Sequence, residues 1–324
     1  MMQLWRSVNW YTKMTYYILS DIGGTHSTFS LVEFEKGKIK EVFRHIFLTK
    51  EYQHFEEVLD LFIEMIKNYE ILNFNLIIAA AGQLKDSIIK LTNSSFIINK
   101  KELLKNPMIN NMELMNDFRA ISYSTFDIDK NNLIELNKGE SYGNKTLIVG
   151  AGTGLGVSRI ENREVIDSEE GHNVFLPRGE IEKELNSFLR KKLNKEKLEY
   201  ENVLSGRGLE NIYSFFSNEQ LNAGEISSSK DSNENSKKTF ELFFKLYAKF
   251  IRELAIEHMV QKNIYIAGGV IEKNLNFSHK DFIREFTNSE NHKDFLKRIP
   301  IYIIKNYDIS IKGLENYIKI KDNL

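Results

Sequence analysis

Two glycine-rich turns, two acid-bearing loops and one strand end carry the residues that could do chemistry in this chain. Asp21-Ile22-Gly23-Gly24-Thr25 follows the apolar run Tyr16-Tyr17-Ile18-Leu19, and Gly150-Ala151-Gly152-Thr153-Gly154-Leu155-Gly156 follows Thr146-Leu147-Ile148-Val149. Residues that tolerate positive φ and carry little bulk let backbone N–H groups crowd around an anion. Either turn alone reads as an ordinary hairpin. Together, with the Thr25 and Thr153 hydroxyls and Asp21 beside them, they favour a grip on a nucleotide polyphosphate. Asp21 stands where it would hold Mg²⁺, directly or through water. Neither turn is followed by Gly-Lys-Ser or Gly-Lys-Thr, so this is not a P-loop. Leu155 falls where the dinucleotide fingerprint needs Gly or Ala, which disfavours a Rossmann dehydrogenase.

Asn116-Asp117 closes the apolar run Met112-Glu113-Leu114-Met115. Asp117 there either caps a following helix or takes the proton of a substrate hydroxyl as that hydroxyl attacks phosphorus, with Asn116 orienting a neighbouring hydroxyl. Glu169 and His172, three residues apart, either bind a polyol or are solvated loop polars. Glu201, ahead of Val203-Leu204-Ser205-Gly206, carries no meaning by itself.

The elements that must position these residues follow from periodicity. Thr28 to Glu35 and Ile39 to Phe47 read as strands joined by a Lys36-Gly37-Lys38 hairpin. Phe55, Val58, Leu59, Phe62, Met65 and Ile66 are spaced as one apolar face of a helix over 54–69. Leu76 to Ala80, Ile88 to Leu91 and Met112 to Met115 are further strands, and strands ending in polar residues are where α/β sites form. The second half repeats the plan. A strand runs into the Gly150 turn, strands follow at Val157 to Ile160 and Glu164 to Ile166, helices at Glu180 to Leu193 and Phe240 to Met259, and a strand Ile264 to Ala267 enters Gly268-Gly269. Ile301 to Ile304 is a last strand and Leu314 to Ile320 a closing helix. The Ser-, Asn-, Glu- and Lys-rich composition between Ser217 and Lys238 predicts a mobile loop.

At 324 residues there is room for two moderate domains with self-sufficient cores. Lys plus Arg number 44 against 45 Asp plus Glu, a balance that leaves no general electrostatic footprint for nucleic acid or an anionic membrane. There is no cysteine, which excludes disulfides, thiolate metal sites and a cysteine nucleophile, and no structural zinc is expected. The leader 1–13 has no apolar run long enough for a signal peptide or a membrane span. It reads as an extension or a mis-set start, disordered or loosely docked, on a soluble cytoplasmic protein.

The segments Asp21 to Thr25, Thr92-Asn93, Asn116-Asp117-Phe118, Gly150 to Gly156, Glu169 to His172, Val203 to Gly206 and Ile266-Ala267-Gly268-Gly269 stand in the order and approximate spacing of bacterial-type glucokinases. From about Met14 to its C-terminus the chain resembles that family. The resemblance implies an α/β protein with the two-domain, actin-like (ribonuclease H-like) ATPase fold, mixed sheets and a ligand cleft between domains. The small domain would comprise 14–127 plus 306–324, and the large domain 128–305. It also implies ATP- and Mg²⁺-dependent phosphorylation of the glucose 6-hydroxyl, the first step of glycolysis, and a homodimer, since family members often pair. Carried over by position, Asp117 resembles the general base, and Asn93, Asn116, Glu169, His172 and Glu201 the glucose ligands. Ser20, Asp21, Ile22, Gly23, Gly24 and Thr25 match the first phosphate turn, Gly150, Gly152, Thr153 and Gly154 the second, and Gly268 and Gly269 the turn near adenosine.

The chain departs from the family pattern at several points. His26 replaces the usual Asn, Ala81 stands before Gly82 where Pro is common, Glu170 replaces a Gly beside Glu169, and 307–313 lacks a Pro-Gly pair. Glu170 is expected to add charge and bulk to the sugar loop. This leaves two alternatives, a catalytically weak sugar- or nucleotide-binding regulator and a kinase for another hexose. The resemblance also predicts that Glu225 to Lys238 begins a polar helix after a shorter loop.

Overall fold

Strands β1 (Thr15–Ile22), β2 (His26–Glu35) and β3 (Lys38–Leu48), rich in aromatic and β-branched residues, form an antiparallel meander in which β1 and β2 are largely buried and β3 is the exposed edge. The computed structural model describes residues 14–91, 94–305 and 308–322. Lys36 and Gly37 turn β2 into β3 with φ of 52° and 74°, the two consecutive left-handed residues that match strand twist in a tight hairpin. Helix α1 (Phe55–Met65) then buries Phe55, Val58, Leu59 and Phe62, and Phe29 of β2 meets the Phe55 and Phe62 rings at 6.0 and 5.2 Å. Next come β4 (Phe74–Ala80), a small antiparallel ribbon of β5 (Leu84–Lys85), β6 (Ile88–Lys90) and β7 (Ile97–Asn99), helix α2 (Lys100–Leu103), β8 (Ile109–Asn116) and α3 (Asp117–Ser124). The sheet order is β3-β2-β1-β4-β8, with β1, β4 and β8 parallel.

A second sheet repeats that plan. After β9 (Leu133–Asn137), the meander β10 (Thr146–Ala151), β11 (Leu155–Glu161) and β12 (Glu164–Ser168) leads to α4 (Glu180–Leu193), α5 (Gly206–Ser217), α6 (Ala223–Ser229) and α7 (Glu234–Glu257). Strand β13 (Asn263–Ala267), the short α8 (Gly269–Glu272), α9 (His279–Phe286), α10 (Lys293–Lys297) and β14 (Ile301–Ile304) complete it. The order is β12-β11-β10-β13-β14-β9, with β10, β13 and β14 parallel and β9 an antiparallel edge.

The chain divides into two compact units. One runs to Ser124 and resumes at Ser310, and the other spans Thr125–Ile309. Helix α11 (Ile309–Asp322) returns to the first unit. There Gly313 lies so near α3 that a Cβ on it would sit 1.7 Å from the Ala120 carbonyl oxygen, and the Asn316 amide donates to the Tyr123 carbonyl at 3.2 Å. Each unit has its own core, around Phe29, Phe62 and Ile78 in the first and around Val149, Phe243 and Ile266 in the second. Among the described residues no helix is long and apolar enough to cross a membrane.

One composition-based expectation changes. The segment Ser217 to Lys238 is mostly helical, forming α6 and the start of α7. Asn222 and Asn233 each cap a helix by accepting backbone N–H groups, so the Asn residues that looked like loop composition are helix starts. Strand β9 and helices α5 and α9 had no sequence assignment. The five-residue edge strand β9 is only half buried, which blurs the alternation that marks a strand.

Candidate active site

In the first unit the C-terminal ends of parallel strands assemble the site. Ile22 of β1 is in register with Ala80 of β4, and Ala80 with Asn116 of β8. The first glycine turn, the Ala81-Gly82 bend and the Asn116-Asp117 pair therefore lie side by side on one sheet edge, where open α/β sheets bind ligands. The Gly23 N–H donates to the His26 carbonyl at 2.9 Å, closing the turn. His26, which stood out in the sequence, is thus used through its backbone. Below the turn the buried Thr49 hydroxyl donates to the Gly23 carbonyl at 2.8 Å and its N–H to the Thr25 carbonyl at 3.0 Å. With that hydrogen engaged, Ser27 Oγ donates to Thr49 Oγ1 at 2.8 Å. Thr49 escaped the sequence reading, because nothing local ties it to a turn 26 residues earlier.

Ser20 and Ile22 are fully buried in β1, so their side chains support the turn from the core. Asp21, between them, is half-buried and Thr25 is exposed. The Asn116 amide group donates to the Gly82 carbonyl at 3.1 Å. Asn116 Oδ1 and Asp117 Oδ1 both accept the Phe118 N–H, at 2.8 and 2.9 Å. Both readings of Asp117 are thus compatible. It starts α3 and satisfies one of the helix's orphan donors, while its half-buried carboxyl remains at the sheet edge. Asn93 and the leader 1–13 lie outside the described residues.

The second unit gathers three glycine segments. The Gly152 N–H bonds the Gly154 carbonyl at 2.8 Å, and the Gly206 N–H, first in α5, bonds the Gly152 carbonyl at 2.8 Å. Gly268, at φ +99°, approaches the end of β10 so closely that a Cβ would lie 2.5 Å from the Ala151 carbonyl oxygen. Of Gly23, Gly152, Gly154, Gly268 and Gly269, only Gly268 takes the left-handed φ that the sequence suggested for the turns. The others contribute absence of bulk. A Cβ on Gly154 would stand 2.6 Å from Glu201 Oε2, whereas at Gly152 and Gly269 nothing among the described residues lies within 4 Å.

Glu201 Oε2 accepts the Leu155 N–H at 2.9 Å, which gives this expected sugar ligand a second task, fixing the exit of the Gly152–Gly154 turn. Beyond β12 a single 3₁₀ turn spans Glu170–His172. Residues three apart eclipse in such a turn, so Glu169 and His172 share a face, with His172 Nε2 3.8 Å from Glu169 Oε2. His172 Nδ1 lies 3.2 Å from Glu199 Oε2. The carboxylate only accepts, so Nδ1 carries the proton there. Glu199, missed in the sequence, is signalled only by its place two residues before Glu201. Both Glu169 and His172 are about half exposed, at 53% and 46%.

Glu170 does not occupy that face. Its carboxylate accepts from Ser168 Oγ at 2.5 Å and from His258 Nε2, and both Glu170 and His258 are largely buried. The added carboxylate is therefore hydrogen-bonded away from the Glu169–His172 surface, which corrects the expectation that it would crowd the sugar loop.

Comparison with known proteins adds an independent line. The glucokinase family model matches residues 18–320. A glucokinase of Nostoc punctiforme is 28% identical, covering 93% of this chain and 98% of its own length. The crystal structure of Balamuthia mandrillaris glucokinase in complex with glucose superposes with a TM-score of 0.78 at 20% identity, covering 96% of this chain and 95% of that one. A ROK family glucokinase from Streptomyces griseus, in complex with glucose and AMPPNP, gives 0.64 at 17% identity, over 94% and 99%. At these identities the two structures speak for the shared fold.

Proposed function

From the premise that this chain belongs to the glucokinase family, we propose that it transfers the γ-phosphoryl group of ATP to the 6-hydroxyl of glucose. The observation that carries the reading is the register Ile22, Ala80, Asn116, which sets Asp117 on the same sheet edge as the first glycine turn. The glucose complex of one structural relative and the AMPPNP complex of another support the two substrates.

In this reading Asp117 accepts the proton of the glucose 6-hydroxyl while the hydroxyl oxygen bonds to the γ-phosphorus, the bond from phosphorus to the bridging β,γ oxygen breaks, and ADP leaves with that electron pair. Asn93, Asn116, Glu169, His172 and Glu201 engage the sugar hydroxyls, and the Glu199 carboxylate sets the His172 tautomer. The turns Gly23-Gly24-Thr25 and Gly152-Thr153-Gly154 offer backbone N–H groups and hydroxyls to phosphate oxygens, and Gly268-Gly269 borders the adenosine. Asp21 presents a hard oxygen donor of the type Mg²⁺ prefers, and the ion held there would offset the charge of the β- and γ-phosphates. The cytoplasm, where ATP is available, fits the reaction, and sedimentation would show whether the chain pairs as a homodimer.

A coupled assay of ADP release tests the reading. Release should require both glucose and the Asp117 carboxylate, and Asp117→Asn should lower kcat by roughly 10²- to 10⁴-fold with a smaller change in glucose KM. ADP release indifferent to glucose, or an Asp117→Asn variant with near-normal turnover, would sink the assignment. Running other hexoses in the same assay settles selectivity.

A further inference from the structure

The 3₁₀ turn that presents Glu169 and His172 is too short to hold its own orientation. It has only two backbone closures, from the His172 N–H to the Glu169 carbonyl at 2.9 Å and from the Asn173 N–H to the Glu170 carbonyl at 3.1 Å, and one isolated helical turn is marginal in water. Besides the His172–Glu199 bond and the Tyr200 N–H that the Asn173 carbonyl accepts at 3.0 Å, both of which act at the C-terminal end of the turn, two contacts hold its middle to the rest of the second unit. Gly171 packs against β11 so tightly that a Cβ would lie 2.0 Å from the Leu155 carbonyl oxygen. Glu170, a third of a turn round from the Glu169–His172 row, reaches His258 at the end of α7.

We propose that Glu170 and His258 are positioning residues that hold the Glu169–His172 face in its sugar-binding orientation, an inference that rests on reading that face as the sugar site. Ser168, the last residue of β12, donates its hydroxyl to one Glu170 carboxylate oxygen at 2.5 Å and accepts the Glu170 N–H at 3.2 Å. The carboxylate is therefore aimed before it meets the imidazole. His258 Nε2 bonds the other oxygen, and the two side chains are 14% and 15% exposed, a setting in which a charge-assisted hydrogen bond is strong. The partner is rigid. His258 caps α7, a 24-residue helix whose Phe243, Tyr247, Phe250 and Ile251 are at most 1% exposed. The loop is thereby tied to a deeply buried helix of its unit from the side of the turn opposite Glu169 and His172.

The test uses the full chain and four variants: Glu170→Ala, His258→Ala, their combination, and His258→Gln, whose amide can still donate to the carboxylate. Hydrogen exchange of the sugar-free protein reads the loop directly. Both single Ala variants should speed exchange at 168–173 and leave the buried stretch 243–251 of α7 unchanged. In the coupled assay they should raise glucose KM by about tenfold, with ATP KM unchanged and kcat at saturating glucose held within about twofold, the split expected when substrate binding rather than chemistry is lost. The combination should be no worse than either single change, and His258→Gln should recover most of the loss. Unchanged loop exchange in both single variants would overturn the proposal. So would a loosened loop with unmoved glucose KM, or equal rises in both substrates' KM. A wild-type chain that releases no ADP with glucose would defeat the glucokinase reading instead, and loop exchange would still decide whether the pair holds the turn.

Discussion

A Cβ placed on Gly152 or Gly269 would meet no atom of the described residues within 4 Å, so protein packing gives no reason for glycine at either. In the proposed reading, an approaching phosphate or nucleoside does. Gly268 differs, with φ at +99° and the Ala151 carbonyl in the way. Gly152→Ala should therefore leave the melting temperature unchanged while raising ATP KM by about tenfold or more, and Gly268→Ala should cost about 1–3 kcal/mol of stability through strain. Calorimetric melting beside ATP titrations separates the two, and equal destabilisation by both would refute the distinction. The glycine turns, Asn116-Asp117 and the Glu169–His172 pair were legible because each is a local pattern ending a strand. Thr49, Glu199 and the Glu170–His258 bond were not, because their meaning lies in partners 26, 27 and 88 residues away. Spacing along a chain does not report such pairings.

Helices α4 and α7 are joined by a buried ion pair that illustrates how elements are locked once packed. Glu182 is held by the Arg178 N–H at 2.8 Å and by the Lys249 ammonium, with side-chain exposures of 2% and 16% for Glu182 and Lys249. Burial pushes the Glu182 carboxyl up, but the Arg178 N–H and the Lys249 ammonium outweigh it and hold the group below its ordinary range. Because the folded value is depressed, the stabilisation is complete above the ordinary carboxylate pKa and fades as pH falls through the folded one. Lys249→Ala, which leaves Glu182 buried without its cation, should cost about 3–5 kcal/mol at neutral pH. The gap from wild type should narrow in urea titrations below about pH 4. A pH-independent gap would mean that packing of the lysine stem, and not charge, sets the loss. Element identity itself was largely readable. The β2–β3 hairpin and most of the apolar stripe of α1 survive folding, although Met65 is left 41% exposed and the helix ends there rather than at Tyr69, whereas the 217–238 segment misled because capping Asn and Ser residues resemble loop composition.

The molecule contains the same construction twice, a three-strand meander feeding parallel strands whose ends carry glycine, and each copy buries its own core. Removing a large ring from one core should be felt there first. Phe62→Ala, at a fully buried position, should cost the first unit about 3–5 kcal/mol. Native-state hydrogen exchange should show faster exchange concentrated in 14–124 and 310–322, and uniform acceleration through 125–309 would contradict it. The repeat was visible in sequence as two glycine turns after apolar runs, since each turn is written locally. The docking of α11 on α3 was not, because the contact of Gly313 with Ala120 joins segments on either side of the whole second unit. That contact sets an order of events during synthesis. Domains tend to fold as they emerge, N-terminal parts first, yet here the helix that packs on α3 leaves the ribosome only after every strand of the second unit. The first unit must wait with all its strands made but with the α3 surface at Ala120 uncovered, until its last helix arrives. A released chain that ends before residue 309 should therefore carry a protease-sensitive first unit beside a second unit that has all its strands.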